Sequence, residues 1–125
     1  MLMIARAGVG SIMKIKGYYG VFAIAFLGVL TGVPARADTP EFTLVIESHR
    51  FVPAELKVPA GQKIRLLVEN RDSTAEEFES YDFNREKIVP GKGRIALFVG
   101  PLKPGRYEFF GDFHADTARG FLIAE

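Results

Sequence analysis

Apolar and polar residues alternate through most of the chain after residue 40. Between residues 41 and 47, Phe42, Leu44 and Ile46 share one face and polar residues take most of the other. A period of two is that of a β-strand. Similar alternation predicts further strands at 55–58, 63–69, 86–89, 94–99, 107–112 and 121–124. Residues 76–81 fit either the end of a strand or a single helical turn.

Turn signals separate these short segments. Pro59-Ala60-Gly61, Pro90-Gly91 and Pro104-Gly105 each break the alternation, and Pro53 ends the first strand region. No amphipathic stretch is long enough for a sizeable helix. Seven to eight short strands with closely spaced turns predict an all-β domain, either a sandwich or a small barrel, over residues 38–125.

Residues 1–37 have the features of a cleaved signal peptide. Arg6, Lys14 and Lys16 form a positive segment, an uncharged apolar run follows, and Ala35-Arg36-Ala37 is an A-x-A cleavage site. We therefore expect export to the periplasm and a mature chain that begins at Asp38. The alternative is a membrane anchor, which the shortness of the apolar run disfavours, since a span needs about 20 residues. Met13 is an alternative start.

The charge and the sulfur content of the chain limit its partners and its metal ligands. Four of the 16 Lys and Arg residues but none of the 15 acidic residues precede Asp38, so 12 basic and 15 acidic residues leave a net charge near −3. No basic stripe remains, so we expect no nucleic-acid partner. The chain has no Cys, and its three Met residues lie at positions 1, 3 and 13. The predicted mature domain thus has no sulfur ligand, and no motif indicates a small-molecule substrate or a hydrolase.

The order of several short motifs resembles a known family. They are Phe51-x-Pro53, Leu56-x-Val58-Pro59-Ala60-Gly61, Pro101-Leu102-x-Pro104-Gly105-x-Tyr107, His114 and Gly120. Together they resemble the cupredoxin-like domain of periplasmic bacterial iron-transport systems. The resemblance implies a Greek-key β-sandwich, a bound iron or copper ion, and an iron permease or another periplasmic iron-transport component as partner.

The chain departs from the copper-carrying members at most ligand positions. Their closing hairpin contains Cys-x-x-His-x-x-x-Met, and these positions correspond here to Gly111, His114 and Ala118. The first His of the family corresponds to Glu76. A blue-copper site needs two His and a thiolate, so the resemblance does not extend to ordinary blue-copper electron transfer.

Acidic and imidazole side chains remain as candidate metal ligands at this end of the predicted sheet. Glu76 and Glu77 are adjacent on a predicted strand and point to opposite faces, so at most one faces the site; the resemblance favours Glu76. Glu79 shares the face of Glu77 and is a candidate to pair with it. The other candidates are Asp112, His114, Asp116 and His49. Such a set suits iron, Mn, Zn or Cu(II), whereas Cu(I) prefers sulfur.

Three functions follow as hypotheses. The first is a periplasmic metal-binding protein that assists iron delivery or oxidation for a membrane permease. The second is a metal-free docking or structural module, for which an exposed residue among Phe109, Phe110 and Phe113 would form a contact patch. The third is oxidation of ferrous iron, because carboxylates favour the ferric ion. One small domain offers no route for four-electron oxygen reduction, so we expect no enzyme activity from this chain alone, only a contribution with partners.

Overall fold

Nine β-strands make up nearly all of the regular structure between residues 38 and 125. The computed structural model describes residues 28–29, 31–33 and 38–125, so most of the predicted signal peptide lies outside the described residues. The strands are β1 (Glu41–Glu47), β2 (Arg50–Val52), β3 (Glu55–Val58), β4 (Ile64–Asn70), β5 (Glu76–Ser80), β6 (Arg85–Val89), β7 (Arg94–Val99), β8 (Gly105–Gly111) and β9 (Arg119–Ala124). The all-β prediction is confirmed. Within the described residues, no helix is long and apolar enough to cross a membrane.

The strands form two sheets. The first has the order β2-β1-β4-β7, and the second has the order β3-β9-β8-β5-β6. Two of the pairings, β1 with β4 and β3 with β9, are parallel. Because β1 and β4 run in the same direction, with Ile46 opposite Asn70, the loops that follow them leave the sheet at the same edge. This edge carries the candidate site.

The core lies between the sheets and follows the predicted alternation. Leu44, Ile46, Leu66 and Val68 of the first sheet are fully buried, as are Phe78, Phe109, Val89 and Leu122 of the second. The Phe109 ring stacks on Phe78 with centroids 5.5 Å apart and meets Phe51 edge-on at 4.9 Å. Burying each large apolar side chain stabilises the fold by about 1.5–3 kcal/mol. A domain without disulfides depends on such packing.

The structure refines three local predictions. The sequence predicts one strand region that Pro53 ends, but Arg50–Val52 form a separate strand, β2, which brings the strand count to nine. Residues 76–80 are a strand, not a helical turn, because β5 pairs with both β6 and β8. The strand predicted over 107–112 is Gly105–Gly111, and one turn of 3-10 helix, Asp112–His114, follows it.

Candidate metal centre

Glu76 is a charged residue on the inner face of β5. The strand alternates, with Glu76, Phe78 and Ser80 buried and Glu77 and Glu79 partly exposed on the outer face. The Glu76 side chain is 1% exposed. Its Oε1 accepts hydrogen bonds from the backbone N–H groups of Glu77 and Phe113, both at 2.9 Å. Fixed amide donors of this kind offset the cost of burying a carboxylate.

Gly111 provides the room for that carboxylate. It lies opposite Phe78 in the β5–β8 pairing, next to the Glu76 side chain. A Cβ built on Gly111 would lie 2.5 Å from Cδ of Glu76 and 2.8 Å from both carboxylate oxygens. No side chain fits there while Glu76 keeps this conformation, so the two positions depend on each other.

His114 contacts the same carboxylate from the loop between β8 and β9. Its Nδ1 lies 2.6 Å from Oε2 of Glu76. The loop is closed by backbone hydrogen bonds: the N–H of Ala118 donates to the His114 carbonyl at 2.8 Å, and the N–H of Gly111 donates to the Ala118 carbonyl at 2.8 Å. The imidazole is therefore held against Glu76 by a compact loop.

His49 approaches from the other sheet. It lies with Ser48 in the two-residue turn between β1 and β2, and both residues have positive φ, 54° and 52°. Positive φ at both central residues is the requirement of a type I′ hairpin turn, which favours Gly and Asn. For other residues this conformation costs about 1–3 kcal/mol each. Strained backbone of this kind is concentrated at functional sites.

The strained turn places the two imidazoles in contact. The rings of His49 and His114 stack with centroids 3.6 Å apart and an interplanar angle of 14°. Thr117 links the same two loops, because its hydroxyl donates to the His49 carbonyl at 2.7 Å. On the other side of the turn, the Asp72 carboxylate accepts hydrogen bonds from the N–H groups of Ser48 and His49, at 2.8 and 2.9 Å.

His49, Glu76 and His114 together form a three-residue donor set. One ligand atom from each lies within 4.8 Å of the other two. Two imidazoles and one carboxylate form a set that proteins use for Fe(II) and Zn, and imidazole also suits Cu(II). The structure thus brings together three of the seven candidate residues, and Glu76, not the adjacent Glu77, is the acid that lies beside the two imidazoles.

The remaining candidates lie elsewhere. Glu77 and Asp112 form a second group with Glu79, with one carboxylate oxygen from each within 4.8 Å of the others. Glu77 and Glu79 lie on the outer face of β5, whereas Glu76 lies on the inner face. Asp116 is exposed and belongs to neither group. Being two residues from His114 does not bring Asp116 to the site, since the intervening loop turns back on itself.

Charge crowding affects the second group. Glu79 lies directly opposite Glu86 of β6. A hydrogen bond with the Glu86 carboxyl is the main cause that raises the pKa of Glu77, and burial and the nearby negative charges add to it. Partial burial, followed by the charges of Glu86 and Asp112, raises the pKa of Glu79. The charge of Glu79 in turn raises the pKa of Tyr81.

A protein-family model described as a cupredoxin-like domain matches residues 20–124. The chain belongs to the cupredoxin-like family. An uncharacterized protein of Rickettsia prowazekii (strain Madrid E) is 54% identical to this chain over 83 residues, which are 66% of each chain. The chain thus spans slightly less than two thirds of the length of that relative.

Solved structures share the fold of this domain at low sequence identity. Auracyanin A, a "blue" copper protein from Chloroflexus aurantiacus, has a TM-score of 0.61 at 13% identity and covers 70% of this chain and 100% of its own. Amicyanin from Paracoccus versutus has a TM-score of 0.54 at 20% identity and covers 74% and 85%. A purple cupredoxin from Nitrosopumilus maritimus has a TM-score of 0.51 at 18% identity and covers 70% and 100%. These likenesses show the fold alone.

The donor chemistry of this chain does not fit a blue-copper centre. Such a centre requires a Cys thiolate and commonly a weak axial Met. The corresponding positions are Gly111, where the Glu76 carboxylate takes the space, and Ala118, which is fully buried. The ligand atoms that the site does offer are ring nitrogens of His49 and His114 and a carboxylate oxygen of Glu76.

Sequence reasoning did not identify Asp72 or Gly111 as parts of the site. Nothing in the sequence around Asp72 indicates a contact with His49, and the two residues meet because β1 and β4 are parallel neighbours. A parallel pairing between strands this far apart has no local signal in the sequence. Gly111 had a signal in its position in the closing hairpin, but its spatial relation to Glu76 requires the β5–β8 pairing.

Proposed function

We propose that this cupredoxin-like domain binds a first-row transition metal ion, iron or copper, through His49, Glu76 and His114. We further propose that the chain acts in the periplasm after export by residues 1–37. There it would serve an iron-uptake system, by assisting iron delivery or oxidation for a membrane permease. The metal proposal is supported above all by two imidazoles and a buried carboxylate within 4.8 Å. The iron-uptake role is supported by the family resemblance of the motifs.

The donor set indicates which ions suit the site. Carboxylate and imidazole favour Fe(II), Zn(II) and Cu(II), while Cu(I) lacks the sulfur ligands it prefers. A bound ion would supply positive charge beside the Glu76 carboxylate. The residues themselves provide a preorganised position, since the carboxylate is held by two backbone amides and the two rings lie in contact.

Titration calorimetry of the purified protein with Cu(II) and, under anaerobic conditions, Fe(II) tests the metal site. We expect one ion per chain, and we expect His114→Ala and Glu76→Gln each to weaken binding by at least about tenfold. Glu77→Gln is the matched control, because Glu77 is adjacent on the strand but faces outward. Absence of binding of both ions to the wild-type protein would reject the site.

The iron-uptake role needs a separate test in cells. Uptake of radioactive iron is compared between strains that carry wild-type protein, His114→Ala or Glu77→Gln in place of the chromosomal copy. We expect reduced uptake only with His114→Ala. Normal iron uptake in the His114→Ala strain, or in a strain that lacks the protein, would remove the support for a role in iron import.

The predicted export has its own test. The intact mass of the protein purified from the periplasmic fraction shows whether residues 1–37 are cleaved before Asp38.

A metal-free docking or structural module is the second candidate function. Within the described residues, every buried side-chain nitrogen and oxygen atom already has a hydrogen-bond partner. The contact between Glu76 and His114 thus satisfies both groups without an ion, and Phe113 beside them is 50% exposed. This function predicts that Phe113→Ser abolishes co-purification with the iron permease, whereas His114→Ala preserves it.

A further inference from the structure

The carboxylate of Asp72 contacts His49 in two ways. Its Oδ1 and Oδ2 accept the backbone N–H groups of Ser48 and His49, the two turn residues with positive φ. Oδ2 also lies 3.4 Å from Nδ1 of the His49 ring. One carboxylate therefore contacts both the backbone and the imidazole of the same residue.

Asp72 is itself fixed from the opposite side. Its backbone N–H donates to Oδ1 of Asn70 at 3.0 Å, and its carbonyl accepts from the N–H of Lys92 at 2.8 Å. Asn70 is buried and also donates to the carbonyls of Thr74 and Val89. Because Asn70 is the buried last residue of β4, its hydrogen bond holds Asp72 where both carboxylate oxygens reach the turn.

A carboxylate beside one ring nitrogen selects the tautomer of a neutral histidine. The proton is favoured on the nitrogen that faces the carboxylate, and the other nitrogen keeps its lone pair. Here the facing atom is Nδ1, so Nε2 would be the nitrogen free to bind a cation. Carboxylates that contact metal-binding histidines in this way orient the ring and increase its basicity.

We propose that Asp72 is a positioning residue for His49. The Asp72 carboxylate holds the strained turn in place and directs the proton of the His49 ring to Nδ1. This inference rests on the proposed metal site. It adds a residue that binds no ion itself, since Asp72 belongs to neither of the donor groups found among the described residues.

Asp72→Asn tests the inference with little change in shape. In the metal-free protein at alkaline pH, long-range ¹H–¹⁵N NMR of the wild-type ring should show a protonated Nδ1 and a bare Nε2 on His49. In Asp72→Asn we expect the proton population to shift toward Nε2, with the His114 pattern unchanged. Cu(II) affinity should fall about 10- to 100-fold.

Thr117→Val is the matched control. The Thr117 hydroxyl holds the same turn through the His49 carbonyl but does not contact the Asp72 carboxylate. We expect Thr117→Val to leave the His49 tautomer unchanged and to lower Cu(II) affinity less than Asp72→Asn does. The inference is overturned if Asp72→Asn and Thr117→Val lower Cu(II) affinity equally and neither changes the His49 ring signals. Asp72 would then only support the turn, as Thr117 does.

The outcomes separate this inference from the proposed function. If His49→Ala weakens Cu(II) binding and Asp72→Asn changes neither binding nor the tautomer, the metal site stands and the positioning role is wrong. If the wild-type protein binds no Cu(II), the proposed function fails, and the NMR comparison still decides whether Asp72 directs the ring proton.

Discussion

The carboxylate of Glu76 takes the space in which a side chain on Gly111 would lie. A Cβ at position 111 would be 2.5 Å from Cδ of Glu76, closer than any van der Waals contact allows. In copper-carrying cupredoxins these two positions correspond to a His and a Cys. This chain thus differs from them at both positions in a coupled way: the Glu76 carboxylate fills the space that the missing side chain of Gly111 leaves.

This coupling predicts the effect of Gly111→Ala. We expect the added methyl group to displace Glu76 and to lower the free energy of unfolding by about 1–3 kcal/mol, as measured by urea denaturation. In a Glu76→Ala background the same substitution should cost less, with a coupling energy of at least about 0.5 kcal/mol. Strictly additive losses would contradict the steric relation.

The same pair of positions predicts how a thiolate centre can be restored. The double variant Glu76→His, Gly111→Cys places a His and a Cys at the two positions that carry them in copper-carrying cupredoxins. Together with His114 they give the two imidazoles and one thiolate required for blue copper, while the His49 ring remains stacked on His114. We expect it to develop an intense visible absorption band on addition of Cu(II). Glu76→His alone supplies no thiolate and should stay without that band. A folded double variant that binds Cu(II) and remains colourless would show that the sandwich cannot hold these ligands in the required geometry.

The turn at Ser48 predicts a gain in stability. Gly adopts positive φ without the steric cost that Ser carries, although it loses more entropy on folding. We expect Ser48→Gly to raise the free energy of unfolding by about 0.5–1 kcal/mol, measured by urea denaturation. Glu47→Gly, one residue earlier in extended backbone, is the control and should destabilise the protein. A loss of stability in both variants would mean that the turn is not strained.

The raised pKa values of Glu77 and Glu79 predict a pH-dependent effect of Glu86→Gln. An acid whose pKa is higher in the folded state than in the unfolded state destabilises the fold when it is ionised. That cost is full above the folded-state pKa and vanishes below the unfolded-state value of about 4.3. Glu86→Gln removes the Glu86 charge and its carboxyl hydrogen bond with Glu77. It should therefore raise the free energy of unfolding at neutral pH.

Unfolding curves recorded at neutral pH and near pH 4 test this effect. The gain from Glu86→Gln should shrink as the pH falls through the raised pKa values. Glu55→Gln is the matched control at an exposed position of β3, since the Glu55 carboxylate lies 2.9 Å from the Arg106 guanidinium and has an attractive partner. A gain that is independent of pH would indicate that repulsion among these acids is not its cause.

Much of the architecture could be predicted from the sequence, because alternation and turn residues are local signals. The bounds of Glu41–Glu47, Glu55–Val58 and Arg94–Val99 agree with the predicted ranges. The buried face of β5 follows from the same alternation once the segment is known to be a strand. The sequence does not predict β2, because the strand has only three residues and the preceding Ser48-His49 turn lacks the Asn-Gly or Asp-Gly signal of a tight hairpin.

The sequence by itself determined the strand pattern, the absence of Cys and the absence of Met after residue 13, and therefore a donor set limited to oxygen and nitrogen. Only the tertiary structure decided which donors meet. Glu76, His114 and His49 come from three separated segments, and the parallel β1–β4 pairing brings Asp72 to the same edge. Such non-local pairings depend on the packing of the two sheets, for which no short stretch of sequence contains the information.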